Sequence, residues 1–398
     1  MATKSLIRTA ALAATLLAAA ACIYPYEVDI QQGSELPLVV EGDIHIGGTT
    51  TLVLSHVVPL HTNYDKAYLP VNAQGYIESE DGTRITGRVL VSGELTFDTS
   101  GLSGDRRCRV HFETLDQQGA VTNVFESDWL DPCPAPTIDA LTYNKNDEFG
   151  ELWIGLSMHC NGSHHFHWSF SETWEYHSDI NAMIWYDPEA RMVERYDYGS
   201  PNLYYCWATR SSSQINIFST ANQTEDRFEE LAFHTIPLND DRLMSVYRIT
   251  VRLEAMSENA YNYWYNMQQN SEGQGSIFAP TPSEMASNVH CVSDPSVQVL
   301  GYLNAAAQTE GVMYYDDALN HYHISRRPFE RYDRKVSAQR PDSLEYWYKN
   351  GYLPYEEVYE DEMSDFPTHY MWAQQICIDC RKQGGTKNKP EGWPSTHK

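Results

Sequence analysis

The stretch His159-Cys160-Asn161-Gly162-Ser163-His164-His165-Phe166-His167 concentrates side chains able to ligate a metal. On a strand, His165 and His167 share a face, so their imidazoles can meet at one ion. His159 joins them only if the chain folds back across Asn161-Gly162. A His-rich, solvated hairpin end is the simpler reading and the preferred one. His321-Tyr322-His323 is a second pair of the same kind. Cys377-Ile378-Asp379-Cys380 has redox spacing, but a thioredoxin-like site opens a helix after a strand. This motif instead precedes Gly384-Gly385 near the C-terminus, so a structural disulfide is expected, with the Cys206 strand as one partner. Asn144 to Gly150 offers oxygen ligands at alternate positions. Its glycine comes one place late for a calcium loop and no bidentate Glu follows, so a plain β-turn is expected.

Aromatic side chains offer binding rather than catalysis. Trp168, Trp174, Trp185, Tyr204, Tyr205 and Trp207 crowd one region and, if exposed on one face, would stack on sugar rings or grip a peptide. Tyr346 to Tyr359 is a Tyr-rich, acidic stretch expected to form a binding loop or docking surface. The sequence has no Gly-x-Ser-x-Gly, His-Glu-x-x-His, P-loop or dinucleotide fingerprint. With 54 acidic residues, no pair of carboxylates stands out as catalytic. A non-enzymatic protein without a cofactor is therefore expected.

The elements that must position these residues read as strands. The 398 residues suffice for two or three domains. Strand-like runs at 36–46, 49–54, 75–80, 85–91 and 108–114, with turn signals between them, predict an N-terminal β-sandwich over 37–131. Pro132-Cys133-Pro134-Ala135-Pro136 closes it, because prolines cannot continue a ladder. A second β-rich domain is expected over 137–398, with strands at 151–158, 164–170, 214–218, 243–253, 297–304 and 311–315. The expected fold is thus two immunoglobulin- or fibronectin-like sandwiches with one short helix in the second. Ser257 is the expected N-cap of that helix, Glu258–Asn270, which buries Ala260, Trp264 and Met267. Residues 318–375 read as irregular.

The two ends say where the chain works. Lys4 and Arg8 precede an apolar run, Ala10 to Ala21, too short to span a bilayer. Leu17-Ala18-Ala19-Ala20-Ala21-Cys22 matches a lipobox, so residues 1–21 read as a lipoprotein signal peptide. Cys22 is then the lipidated first mature residue, and 22–36 a tether. Export implies an oxidising compartment. Cys108, Cys133, Cys160, Cys206, Cys291, Cys377 and Cys380 are disulfide candidates; the number is odd, so at least one is left over, and connectivity stays open. A net charge of −26 repels phosphate backbones, which argues against nucleic acid.

Several short motifs occur in order. They are Leu38-Val39-Val40-Glu41-Gly42, Glu172-Thr173-Trp174-Glu175-Tyr176, and Ala260-Tyr261 with Tyr263-Trp264 at the helix start. Gly275-Ser276-Ile277-Phe278, Asn288-Val289 with Asp294-Pro295, and Val299-Leu300-Gly301-Tyr302 follow. The last is Cys377-Ile378-Asp379-Cys380-Arg381 with Gly384-Gly385 and Lys389-Pro390. Together they resemble the domain-of-unknown-function family 4249, lipoproteins of Bacteroidota outer membranes. Glu391-Gly392-Trp393-Pro394 departs from the family's ending. The resemblance implies an exported, lipid-anchored, mostly β protein of the outer membrane. Its family context implies an accessory role beside a TonB-dependent uptake receptor. Free-standing capture of a glycan or peptide is the alternative, and an envelope-assembly role a third. Asp342-Ser343-Leu344 also fits the triplet that Bacteroidota O-glycosylate on exported proteins, although so short a pattern arises often by chance.

Overall fold

The computed structural model describes residues 36–57, 69–89, 93–197, 203–272, 287–316, 329–361 and 363–394. The signal peptide, Cys22, most of the tether and the His321/His323 pair lie outside these residues. The chain is mostly β, as expected. No helix among the described residues is long and apolar enough to cross a membrane.

The first sandwich uses β1 (Leu38–Glu41), β2 (Ile44–His45), β3 (Thr49–His56), β4 (Leu69–Pro70), β5 (Ala73–Ser79), β6 (Arg84–Thr86), β7 (Arg88–Val89), β8 (Glu94–Asp98), β9 (Cys108–Leu115) and β10 (Val121–Ser127). Alternation dictates the packing. In β9 every second side chain is buried, and Val110 and Phe112 face a core shared with Leu52, Leu54 and Phe97. Phe112 stacks on Phe125 at 5.0 Å.

Next come β11 (Thr137–Asn146), β12 (Glu151–His159), β13 (His165–His177), β14 (Ile184–Asp187), β15 (Met192–Arg195), β16 (Tyr205–Ser211), β17 (Ile217–Ser219), β18 (Arg227–Pro237) and β19 (Val246–Ala255), which build the second sandwich apart from the β14–β15 hairpin. One sheet runs β11-β12-β18. The turn joining β11 to β12 is the predicted β-turn, where Asn146 Oδ1 accepts the backbone N–H groups of Glu148 and Phe149. Helix α1 (Glu258–Glu272) follows β19, and Ser257 Oγ caps it by accepting Ala260 N–H at 3.2 Å. Ala260 is fully buried as expected. Tyr263 is the next most buried side chain of the helix, while Trp264 and Met267 are only half-buried.

The chain then goes back to the first sandwich. β20 (Val289–Cys291) pairs with β10, β21 (Val299–Leu300) runs parallel to β1, and β22 (Ala305–Ala306) runs parallel to β2. These residues were expected in the second domain, yet they complete the sheets β21-β1-β3-β8-β7 and β20-β10-β9-β5-β6. β23 (Gln308–Asp316) then returns to the second sandwich, completing β16-β13-β19-β23.

Two motif glycines pack against strand backbone, Gly301 on β1 where β21 docks and Gly42 on β3. Gly301 (φ +124°) has no room for a Cβ against the Val40 carbonyl, and Gly42 (φ +123°) none against the Thr51 carbonyl. Replacing Gly301 by Ala is expected to cost more than ~1 kcal/mol, read as a lower urea midpoint at unchanged slope.

A third assembly joins the β14–β15 hairpin to the C-terminal part. It contains β24 (Arg334–Ser337), helix α2 (Pro341–Lys349), β25 (Tyr352–Val358), β26 (His369–Gln374) and the short helix α3 (Gln375–Ile378). The expectation of irregular structure over 318–375 is thus corrected for its described part, and Tyr346 to Tyr359 is a helix end and a strand rather than a loop. Pro341 opens α2 at its first turn. Leu344, Trp347 and Tyr348 fall at i, i+3 and i+4 and pack with Trp372.

One disulfide forms among the described residues, Cys206–Cys380, tying β16 to the tail. Cys108, Cys133, Cys160, Cys291 and Cys377 remain thiols, so of the seven candidates only Cys206 and Cys380 pair among the described residues. Burial pushes the Cys108 thiol up to about 12. Cys377 belongs to a separate apolar cluster with Ile180 and Ala373.

Candidate ligand cleft

Period-two geometry places Trp168, Phe170, Glu172, Trp174 and Tyr176 on one face of β13. On its outer edge β13 pairs with β16 through residues 171–177 and with β17 through residues 165–167. The ladder partner is missing between them, because residues 212–216 swing out. The loop still satisfies the exposed backbone of β13. Ser212 N–H donates to Phe170 O (2.8 Å), Ser212 Oγ accepts Phe170 N–H (3.1 Å), and Trp168 N–H donates to Asn216 O (3.0 Å).

This excursion opens a cleft of about 360 Å³ between the edges of the two sheets. Trp168 and Phe170 line one wall and Phe233 and His234 of β18 the other. Ser213, Gln214 and Asn216 supply hydroxyl and amide groups at the loop. The Trp168 and Phe170 rings stack at 5.8 Å, and Phe233 meets Trp168 edge-on at 5.1 Å. Arg210 lines this cleft and also a second of about 480 Å³, whose walls include Trp174, Tyr176, Arg242 and Lys382. The two therefore adjoin across one guanidinium.

Glu172 organises the boundary. Its carboxylate is fully buried. Oε1 accepts from Arg242 Nη1 (2.6 Å), Tyr247 O–H (2.9 Å) and His234 Nε2 (3.0 Å); Oε2 accepts from Arg210 Nη2 (2.7 Å) and Nε (3.0 Å). Burial opposes its ionisation, but the His234 hydrogen bond and the Arg242 and Arg210 contacts outweigh that and hold its pKa near about 2. The carboxylate is a permanent anion that aims Arg210 and Arg242. Asp240 in turn takes Nε and Nη2 of Arg242.

The other residues of the Glu172-Thr173-Trp174-Glu175-Tyr176 motif also hold structure. Glu175 accepts from Trp393 Nε1 (3.0 Å), and Tyr176 O–H donates to the Cys380 carbonyl (2.8 Å). Motif residues thus place the cleft wall and pin the tail. A family model, Domain of unknown function (DUF4249), matches residues 23–311.

The chain belongs to this family.

No curated protein matches it. The DUF4249 span covers β1 through the start of β23, and so includes β13, β16 and β18 around the cleft; Lys382 and the other C-terminal landmarks lie beyond it.

The six aromatic candidates part company. Trp168 and Trp174 reach the two clefts. Tyr204 and Tyr205 line a separate cavity of about 280 Å³ with Met183 and Tyr196. Trp185 lies half-buried on β14 in the third assembly. Trp207 is 1% exposed and packs with Trp393, so it is core and offers no ligand platform. Arg210, Glu172, Phe170 and Phe233 were not singled out as site residues. The available signal was Glu172 itself, a carboxylate on the apolar register of an alternating strand.

The histidine candidates also separate. His159 pairs with Asp139 (2.9 Å), His165 packs on Tyr261 (4.6 Å), and His167 Nδ1 donates to Glu254 Oε1 (2.9 Å). His165 and His167 do share a face, but it lies toward α1, away from His159. Among the described residues no group of three or more His, Cys, Asp or Glu is placed to hold a metal.

His167 belongs instead to a joint between the sandwiches. Glu254 Oε2 meets His45 Nδ1 at 3.4 Å, and Asp43 Oδ1 accepts the Asn304 N–H at 2.9 Å. Burial, then the Glu254 charge, raises Asp43 to about 7. The Glu254 hydrogen bond raises His45. Burial lowers His167, but Glu254 outweighs it and the net shift is upward. Burial also opposes ionisation of Glu254, and the two imidazoles bring it down to about 2. The raised groups stabilise the fold at low pH and lose that contribution as pH rises through their folded values. The depressed Glu254 contributes above the ordinary carboxylate range and loses this only toward pH 2. Stability is therefore expected to fall as pH rises from 6 to 8. Asp43→Asn, which keeps the acceptor for Asn304, should raise the melting temperature at pH 8 by roughly 2–4 °C, raise it less at pH 5.5, and change it little near pH 3.5, below the ordinary carboxylate range.

Proposed function

We propose that this chain is a non-enzymatic, lipid-anchored ligand-binding protein of the outer membrane. It is held through Cys22 and serves as accessory to a TonB-dependent uptake receptor. The carrying observation is the cleft at the break between β16 and β17, which combines aromatic walls with fixed polar groups, the usual make-up of a small-ligand site. A binding role also fits the electrostatics. Glu172, the carboxylate set deepest beside the cleft, is locked by five hydrogen bonds and stays ionised far below neutrality, so it has no proton to give or take near pH 7.

Receptor docking is supported by the β25–β26 loop, where Met363 and Phe366 stand 90% and 78% exposed. Extraction of the native lipidated protein in mild detergent should bring a stoichiometric β-barrel receptor with it. Met363→Asp combined with Phe366→Asp should reduce that recovery without altering the melting temperature. Recovery of a lone protein, under conditions that keep other envelope complexes intact, would sink the accessory role. The cleft would then speak for free-standing capture of a glycan or peptide.

A further inference from the structure

We propose that the cleft takes an acidic carbohydrate, a sugar chain bearing carboxylates, with its rings on Trp168 and Phe170 and a carboxylate held by Arg210 and Lys382. The inference rests on the reading of the cleft as a ligand site.

Charge is the first argument. Across the chain acids outnumber bases 54 to 28, yet the wider cleft presents Arg210, Arg242 and Lys382, and Arg210 also lines the aromatic one. Arg242 is committed to Glu172 and Asp240. Arg210 is committed through Nε and Nη2 only, and its Nη1 has no protein partner among the described residues. Glu172 thus fixes the guanidinium plane and leaves one nitrogen for a ligand, a pre-organised acceptor for an oxyanion. The Lys382 ammonium has no ion-pair partner among the described residues, and its backbone is set by the turn that begins at Cys380. Asp241 also lines the wall, on the exposed side of the 3-10 turn Asp241–Leu243.

The walls argue for a sugar. Trp168 and Phe170 offer adjacent half-buried ring faces, and Ser213 and Gln214 add a hydroxyl and an amide. The Asn216 side-chain nitrogen is buried and has no hydrogen-bond partner in the protein. A peptide adding itself to the sheet would need free backbone groups on β13 at Trp168 and Phe170. Ser212 and Asn216 already occupy them, so recognition falls to side chains.

Calorimetric titration of the full-length protein in detergent tests this, using oligogalacturonate and oligomannuronate, their methyl esters, and oligoglutamate. The uronates should bind, and esterification should weaken them at least roughly tenfold, with loss of affinity as salt rises. Lys382→Met should cost the acids roughly tenfold and leave the esters unchanged. Trp168→Ala should abolish binding of both. Gln214→Glu, at an exposed loop position, should weaken only the carboxylated chains, which tests the ligand class even if Trp168→Ala folds poorly. Esters binding as well as acids, with Lys382→Met silent and Trp168→Ala disabling, would overturn the acidic class and leave the cleft standing. Preference for oligoglutamate would overturn the carbohydrate class. Binding indifferent to Trp168→Ala and Gln214→Glu, or no binding by any sugar, would overturn the cleft itself.

Discussion

Replacing Glu172 by Gln is expected to destabilise the second sandwich by about 3–5 kcal/mol, the usual cost of removing one partner from a buried ion pair. The carboxylate is fully buried and Arg242 beside it nearly so, with a side chain 10% exposed. An amide retains one oxygen but turns an NH2 group toward a donor. Either Arg210 or the Arg242–Tyr247–His234 set then faces a donor, and the Arg242 charge loses one of its two anions. Urea unfolding at pH 7 would register the loss as a fall in midpoint. The pH dependence adds a signature. The folded pKa of Glu172 is depressed to about 2, so its stabilisation is complete above the ordinary carboxylate range and vanishes as pH falls toward that value. The gap between wild type and Glu172→Gln should accordingly narrow from pH 4.5 downward. A gap that holds constant to pH 2.5 would mean the loss comes from packing and not from charge.

Cutting the Cys206–Cys380 bond is the second large effect. It links residues 174 apart in sequence, and a cross-link closing so long a loop removes much chain entropy from the unfolded state. Cys206→Ser with Cys380→Ser should cost about 2–5 kcal/mol, and a reductant that reaches the bond should reproduce it. The consequence is also local. The tail segment beyond Cys380 adds a two-way backbone bridge between Trp207 and Thr386 and the Trp393–Glu175 bond. Lys382 and Gln383 line the wider cleft from the same turn. Loss of the bond should therefore weaken carboxylated ligands by the Lys382 contribution while sparing the part that depends on Trp168. Hydrogen exchange over 380–394 should rise in parallel. Unchanged protection there would show that the bridge and Trp393 suffice to hold the tail.

What the sequence determined alone is whatever depends on near neighbours. Period-two burial marked β3, β5, β9 and β12, because alternation is a property of the strand itself, whereas β19 is buried at nearly every position. Ser257 marked the start of α1, because a cap acts within one turn. The turn at Asn146 was legible for the same reason. Helix α2 was locally encoded too, by Pro341 and the Leu344, Trp347, Tyr348 spacing, but the density of tyrosines concealed the period.

Tertiary structure decided what depends on distant pairing. Residues 289–306 complete the first sandwich because β21 fits beside β1, across about 260 residues, where Gly301 allows the approach. The six aromatic candidates differ in exposure because a strand assigns each side chain a face, and the covering element decides which face stays open. Trp207 is closed by Trp393, while Trp168 is left open where residues 212–216 leave the ladder. The pairing of Glu172 with Arg210 and Arg242, and of His167 with Glu254 and His45, is set by register between strands. No local pattern encodes that register, since the energy that selects it comes from burial over the whole sheet.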